Sequence, residues 1–356
     1  MPKARKKTLP KDFEELLEAG DAAAIRAVFE SSEVNARGGI WKQTALAFNE
    51  LPDEVAAWLV ENGADIAAAD QYGATPLHAR SGHWQGRIAI LLTLGADPNA
   101  VDPKGNTPLH KAAAIGNVRT AQVLLEHGAR VDATNNQGAT PLVHALRQCS
   151  NAKIEEITGV ADLLLNAPAQ TQGGTVITQE MRDCVQRIGT DFEFHRDNFN
   201  PDSVEATSAA LDKLYLLFDV PPVPRRVAYD GKSPIVAKAA TWEERHQELW
   251  ELLVPSSGAA STMQGEAIRI AGRIARELDG NGGINWDAEF KQMADALLTH
   301  FGAGQPLPAP ALREAATLVD EVKRKGGDPR RLCELAVEWV ALNPAPIALP
   351  APAYRR

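Results

Sequence analysis

Apolar residues in the second half of the chain recur at helical spacing. In EAIRIAGRIARELD (266–279), Ile268, Ile270, Ala271, Ile274 and Leu278 fall on one stripe, and Arg269, Arg273 and Arg276 lie outside it as a solvated face. The same period predicts helices near 241–254, 262–279, 286–301, 309–325 and 328–342, a bundle. Two earlier segments, 178–199 and 201–220, also read as helices, the second opened by Pro-Asp-Ser. The first half has another rhythm. Short apolar runs, WLVENGADI (58–66), ILLTLGADP (90–98) and VLLEHGARV (123–131), each break at a glycine, and DFEELLEAGDAAAIRAVFE (12–30) reads as two short helices.

That rhythm is an internal repeat. Gly-x-Thr-Pro-Leu occurs with Thr75, Thr107 and Thr140, and a degenerate copy, KQTAL, carries Thr44. Thr107 is placed to cap a helix whose first position is Pro108, where the missing N–H costs nothing, and Gly128 suits a left-handed helix end. One such unit cannot bury its own apolar face, so neighbours must stack. The stretch DPKGNTPLHKAAAIGNVRTAQVLLEHGARVD (102–132) closely resembles the ankyrin-repeat pattern.

The resemblance implies an all-α fold, a repeat solenoid of helix-turn-helix units with β-turns, followed here by the helical bundle. It implies that His78 and His110 tie one repeat's backbone to the next. Val143 takes the family's histidine position and frees His144, and His83 falls at a similar variable position. Partner binding in the family uses turn tips and the concave first-helix face. Mapped residue by residue, that surface takes in Ile40, Trp41, Gln71, Tyr72, His83 and Pro103. It continues through Lys104, Lys111, Ile115, Asn136, Gln137 and His144. Trp41 and Tyr72 are the expected anchors, since aromatics dominate hot spots. Packing under an N-terminal cap is an equal alternative for Trp41. Three departures stand out: Arg80-Ser81 replaces the usual Ala-Ala pair, Trp84 stands where glycine is usual, and SNAKIEEITG (150–159) lengthens the link to the fourth unit's second helix.

The expected organisation is a basic disordered tail (1–11), a repeat block with an N-terminal cap and about four repeats (12–169), and a helical extension (170–225). A C-terminal helical domain (226–344) and a flexible tail (345–356) complete it. The proline-rich PPVPRR (221–226) and the turn-rich QTQGGT (170–175) punctuate the chain.

Charge narrows the partners. The net charge is −9, and between Asp12 and Gln170 there are twenty acids against eleven bases. Such a surface repels phosphate backbones, so the expected partner is a protein with a basic surface rather than nucleic acid. No apolar run reaches the ~18 residues of a membrane span. The basic start MPKARKKTLPK lacks the apolar core of a secretory signal. Cys149, Cys184 and Cys333 are scattered and odd in number, which fits a reducing cytoplasm.

Chemical motifs are few. HRDNFN (195–200) lacks the companion motifs of a kinase, and neither a phosphate-binding GxxxxGK[ST] loop nor a GxSxG elbow occurs. No cofactor is expected. ELDGNGGINWDAEF (277–290) offers a weak calcium alternative through Asp279, Asn281 and Glu289, but position 12 of such a loop falls on Ala288. Helix capping explains the same residues: glycines for the turn, Asn285 as N-cap, Trp286 to pack the corner. The leading expectation is therefore a non-enzymatic protein-binding chain, in its narrower form an inhibitor or immunity protein that masks a toxin. The alternatives are an enzyme in the helical half, with Arg269, Arg273, Asp287 and Glu289 as first candidates, and an oligomerising scaffold.

Overall fold

The computed structural model describes residues 4–167, 176–227 and 229–355. The expected punctuation at 170–175 and the first three residues of the basic tail lie outside the described residues. The chain divides into two compact units, residues 1–192 with 200–223, and residues 193–199 with 224–356.

The first unit opens differently from a disordered tail. Lys6–Thr8 forms β1, and Leu9 behind it is buried and donates its N–H to the Arg37 carbonyl. An apolar residue this near the start gives the basic segment a reason to dock. Helices α1 (Phe13–Ala19) and α2 (Ala22–Ser31) follow, with Phe13 edge-on to Phe29 and Asp21 capping α2 through Ala23 and Ala24 N–H. Strand β2 (Ser32–Gly38) pairs parallel with β1 and antiparallel with β3 (Gln43–Thr44), making a three-stranded sheet whose β2–β3 finger carries Ile40 and Trp41 at its tip.

The first repeat then departs from its siblings. Where a first helix belongs, KQTAL gives only a 3₁₀ turn, Ala45–Ala47, before α3 (Asp53–Glu61). The later repeats are complete: α4 (Pro76–Ser81) with α5 (Ala89–Thr93), α6 (Pro108–Ile115) with α7 (Val118–Glu126), and α8 (Pro141–Gln148) with α9 (Ile154–Asn166). The insertion at 150–159 does not make a long loop. Most of it is helical, so that α9 has 13 residues where α7 has 9.

Arg80 explains how the truncated repeat is tolerated. Its side chain is fully buried. Nε donates to the Leu46 carbonyl (2.8 Å) in the 3₁₀ turn, and Nη1 to the Arg87 carbonyl (2.9 Å). A 3₁₀ turn leaves carbonyls that a longer helix would satisfy, and a buried carbonyl without a donor is costly. Burial lowers the guanidinium pKa to about 10, which leaves it charged at neutral pH. Asn49 extends the same seam, donating to Gln85 Oε1 (2.8 Å) and accepting from Arg87 N–H (2.9 Å).

At the far end, α10 (Gln179–His195) and α11 (Val204–Phe218) close the first unit. Arg187 donates to the Leu146 carbonyl at the end of α8, while Thr158 donates to Ala210 O and Lys213 pairs with Asp162, joining α11 to α9. These helices cover an apolar repeat edge, the service a capping unit performs.

The second unit is a bundle of α12 (Trp242–Leu253), α13 (Met263–Ala275), α14 (Ala288–Phe301), α15 (Ala309–Val322) and α16 (Pro329–Leu342). Helix α13 is the centre, buried from Met263 to Ala271. A Cβ at Gly272 would stand 2.7 Å from the Trp250 ring, so that glycine sets how closely α12 approaches. Arg269 is not on a solvated face. It is 2% exposed and forks onto the wholly buried Glu266, with Nε–Oε2 2.8 Å and Nη2–Oε1 2.6 Å. The stripe rule fails because α13 is covered on all sides.

The closing segment is extended but not a free tail. Pro344 O accepts from Ile235 N–H, Ile347 O accepts from Met263 N–H, and Gln264 donates to the Asn343 and Ala345 carbonyls. Ala348 bridges to Thr262, and the buried Tyr354 donates its hydroxyl to Glu266 Oε1 (2.6 Å). Burial would raise the Glu266 carboxyl, but Arg269 and Tyr354 hold it below the ordinary range.

Two substitutions test these polar anchors in the full chain by urea denaturation. Arg80→Ala strips a donor from the buried Leu46 carbonyl and another from the Arg87 carbonyl, and is expected to cost the first unit about 3 kcal/mol. Tyr354→Phe removes one charge-assisted bond and is expected to cost the second unit about 2 kcal/mol. Unchanged midpoints in both variants would show that the anchors contribute nothing.

Candidate functional site

The repeat turns are built by a polar ladder. Asp70 accepts from Tyr72 and Ala74 N–H, Asp102 from Lys104 and Asn106 N–H, and Asn135 from Gln137 and Ala139 N–H. Each acceptor sits at the start of its turn, where a side-chain oxygen reaches the backbone two residues on. Asn135 donates onward to Asn106 Oδ1, and Asn106 to Asp102 Oδ2.

Turns are also tied to one another, and several expected surface residues are spent there. Gln71 donates its backbone N–H to Trp41 O (3.1 Å) and its side chain to Ile40 O (3.0 Å). Asn136 does the same to Lys104 O and Pro103 O, each at 2.9 Å. Pro103, Lys104, Asn136 and Gln137 themselves are exposed, with Gly138 beside Gln137 free of close contacts.

These struts hold aromatic rings in water. Ile40 is 76% exposed, Tyr72 62% and Trp41 48%. Trp41 and Tyr72 meet edge-on at 5.6 Å, so the tip of the β2–β3 finger and the next turn share one apolar patch. Trp41 therefore faces Tyr72 with half its surface open.

The histidines divide by position. His78 Nδ1 lies 2.8 Å from Thr75 Oγ1 and accepts from Thr75 N–H, while Nε2 donates to Asn106 O (2.9 Å) in the next repeat. His110 repeats this with Thr107 and Ala139 O (3.0 Å). Both carry the proton on Nε2, since that nitrogen faces a carbonyl. His144 has Gln148 at 2.8 Å and stands 5.8 Å from the His110 ring, half-buried like Lys111 and Ile115. Burial lowers the His144 pKa, and the positive charges of Lys111 and Arg147 add to it. Both cations are paired, Lys111 with Asp102 (2.7 Å) and Arg147 with Glu180 (2.6 Å). Burial alone would raise Asp102, yet Lys111 and Asn106 hold its carboxyl at about 2.

Residues 79–170 match the family model for ankyrin repeats in three copies. The ankyrin block is thus a protein–protein interaction module. The match does not extend into the helical unit, and no curated protein matches the chain. Among the described residues, no helix is long and apolar enough to cross a membrane.

One exposed aromatic of the ankyrin block was not among the expected anchors. Trp84 is 75% exposed on the loop between α4 and α5, with His83 beside it. Its signal in the sequence was its replacement of a usual glycine.

In the second unit, the ELDGNGGINWDAEF corner is stapled by its own glutamate. Glu277 is buried and accepts from Asn285 N–H (2.6 Å), Asn285 Nδ2 and Asn281 Nδ2. Asn281 therefore serves the corner internally. Asp287, not Asn285, caps α14 through Glu289 and Phe290 N–H. Glu289 is the second residue of that helix, and Trp286 stacks on Phe290 at 5.0 Å. Among the described residues no group of three metal-binding side chains assembles. A cavity of about 130 Å³ lies elsewhere in this unit, lined by Ile235, Leu249, Val337, Val340 and Pro344, with Arg245 its one charged lining residue.

Acid should loosen the ankyrin block. Burial lowers the pKa of His78 and His110 below 6.5, so the unfolded chain takes up protons there that the fold refuses. This contribution is fully present above pH 6.5 and falls away as the pH drops below it. Denaturant midpoints at pH about 7.5 and about 5 measure it. His110→Gln should show a lower midpoint at the higher pH and a smaller drop between the two.

Proposed function

We propose that the chain is a non-enzymatic protein-binding module whose ankyrin block docks a partner through aromatic side chains held on rigid turns. The observation that carries this reading is the set of open rings, Trp41 with Tyr72 and separately Trp84, on backbone fixed by inter-repeat hydrogen bonds. Aromatic anchors on a pre-ordered frame lose little entropy on binding. The twenty acids against eleven bases of the block favour a partner with a basic surface and disfavour nucleic acid. An inhibitor or immunity protein that covers a basic toxin is the narrower form of the same reading.

The non-enzymatic part has its own support. Burial pushes the Cys149 and Cys333 thiols up to about 12, far from nucleophilic use. In the helical unit Arg269 is committed to Glu266, and Asp287 to capping α14. The apolar cavity brings no pair of titratable groups face to face.

Affinity purification with quantitative mass spectrometry tests the docking reading. Trp41→Ala with Tyr72→Ala, and Trp84→Ala alone, should each reduce recovery of a shared partner at least about tenfold, the scale of a hot spot. Melting temperatures should stay at the wild-type value because these rings are exposed. Equal recovery by all three proteins would sink the reading.

A further inference from the structure

The α4–α5 loop is fixed from both neighbouring repeats. From the repeat before, Asn49 holds Gln85 and Arg87. From the repeat after, Asn117 Nδ2 donates to the carbonyls of His83 (3.3 Å) and Trp84 (2.8 Å). Beneath it, the buried Arg80 holds the Arg87 carbonyl. Gly86, at φ +54°, lies so close to Thr120 that a Cβ there would stand 1.8 Å from its hydroxyl. The loop has no room to shift, yet it presents an indole that is 75% exposed.

The neighbours of that indole are specific. The His83 ring lies 5.8 Å from Trp84. His83 Nδ1 accepts from Gln85 N–H (3.2 Å), which leaves the Nε2 proton directed toward Glu50 Oε1 at 4.0 Å. An open aromatic face and a half-open carboxylate thus flank one imidazole. Asp53 and Glu54 begin α3 just beyond Glu50. The cations near this edge include Arg26, which donates to the Glu54 carbonyl, Arg80, which is buried and bound to carbonyls, and Arg87, which is exposed. Lys111, beside Gly82 in the next repeat, is already paired with Asp102, and Arg147 further along with Glu180.

We propose that the Trp84–His83–Glu50 cluster is a recognition site for an arginine side chain on a basic segment of the protein partner. The inference rests on the docking reading above and adds the chemistry of what docks. A guanidinium is flat and weakly hydrated, so it stacks on the indole while its edge N–H groups reach the Glu50 carboxylate. A lysine ammonium keeps the charge but loses both the stacking plane and the fork. The fixed loop means that the cost of ordering the site is met in the free protein.

The test uses the full chain labelled with ¹⁵N, and the Trp84 indole N–H resonance assigned by its disappearance in Trp84→Phe. The probe is the peptide acetyl-Ser-Gly-Arg-Gly-Arg-Gly-Ser-amide at low salt, with lysine and norleucine counterparts. The arginine peptide should shift the Trp84 indole signal saturably, and Glu50→Gln should weaken that binding about tenfold. The lysine peptide should bind more weakly than the arginine one, and norleucine should leave the signal in place. An indole signal that ignores the arginine peptide, or binding equal in Glu50→Gln, overturns the proposal. If that happens while partner recovery still depends on Trp41 and Tyr72, the docking reading survives and the arginine site alone is lost. Recovery that ignores all three rings removes the docking reading instead.

Discussion

The first unit depends on one constraint: each repeat must supply side-chain hydrogen-bond donors to backbone carbonyls of its neighbour. A stacked array buries backbone at every joint, and a buried carbonyl left without a donor costs more than most packing contacts return. His78 to Asn106 and His110 to Ala139 are the regular links, Nε2 donating each time to a carbonyl that also accepts an N–H of its own turn, from Asp102 and from Asn135. Arg80 to Leu46 is the irregular one, and it runs backward to the previous repeat. The first repeat has a 3₁₀ turn for a helix, so more carbonyls need donors, and a guanidinium brings several on one side chain.

The helical unit solves a related problem with other residues. Its closing strand has no sheet to join beyond a single bridge, so side chains stand in for a strand partner. Gln264 brackets it at Asn343, Ala345 and Ile347. Asn343 in turn holds the backbone of Gln305 from both sides, at 2.8 and 2.9 Å. The Glu266–Arg269 pair lies under the last described residues, where Tyr354 adds a hydroxyl donor to the same carboxylate. The Ala260 N–H donates to the same carboxylate, so one buried glutamate ties α13 to the segment before it and to the closing segment.

What could be read from the sequence follows from how local each cause is. The helices of both halves are local: apolar period, a capping residue and a breaking glycine or proline lie within one stretch, and the positions of α12 to α16 were legible in that way. The ankyrin turn, with its threonine, proline and histidine, was equally plain. Misplaced features are those decided at long range. Arg269 sits on the polar side of its own helix yet is buried, because α12, α14 and α16 surround α13. The basic start becomes β1 only because β2, some twenty-five residues later, offers an edge. Tyr354 is buried against Glu266, 88 positions away in sequence. In the calcium-like loop Asn285 was the expected cap, but Glu277 turned inward and took the Asn285 N–H, and Asp287 caps the helix instead.

The same division accounts for the candidate site. Trp41 and Tyr72 were legible because they occupy positions that ankyrin turns vary freely. Trp84 was visible only as a missing glycine, and its meaning depends on three residues that no local pattern connects to it: Asn49 before, Asn117 after and Arg80 below. A tryptophan in a loop free to collapse would fold its ring onto the nearest apolar surface, since burying that area is favourable. Here the carbonyls of His83 and Trp84 are held by Asn117 of the next repeat and that of Arg87 by Arg80 of the same repeat, which restrains the backbone under the ring. Arg80, the donor that compensates for the shortened first repeat, also holds a carbonyl of the loop that presents the indole. Stability of the joint and presentation of the surface therefore share one buried side chain, Arg80.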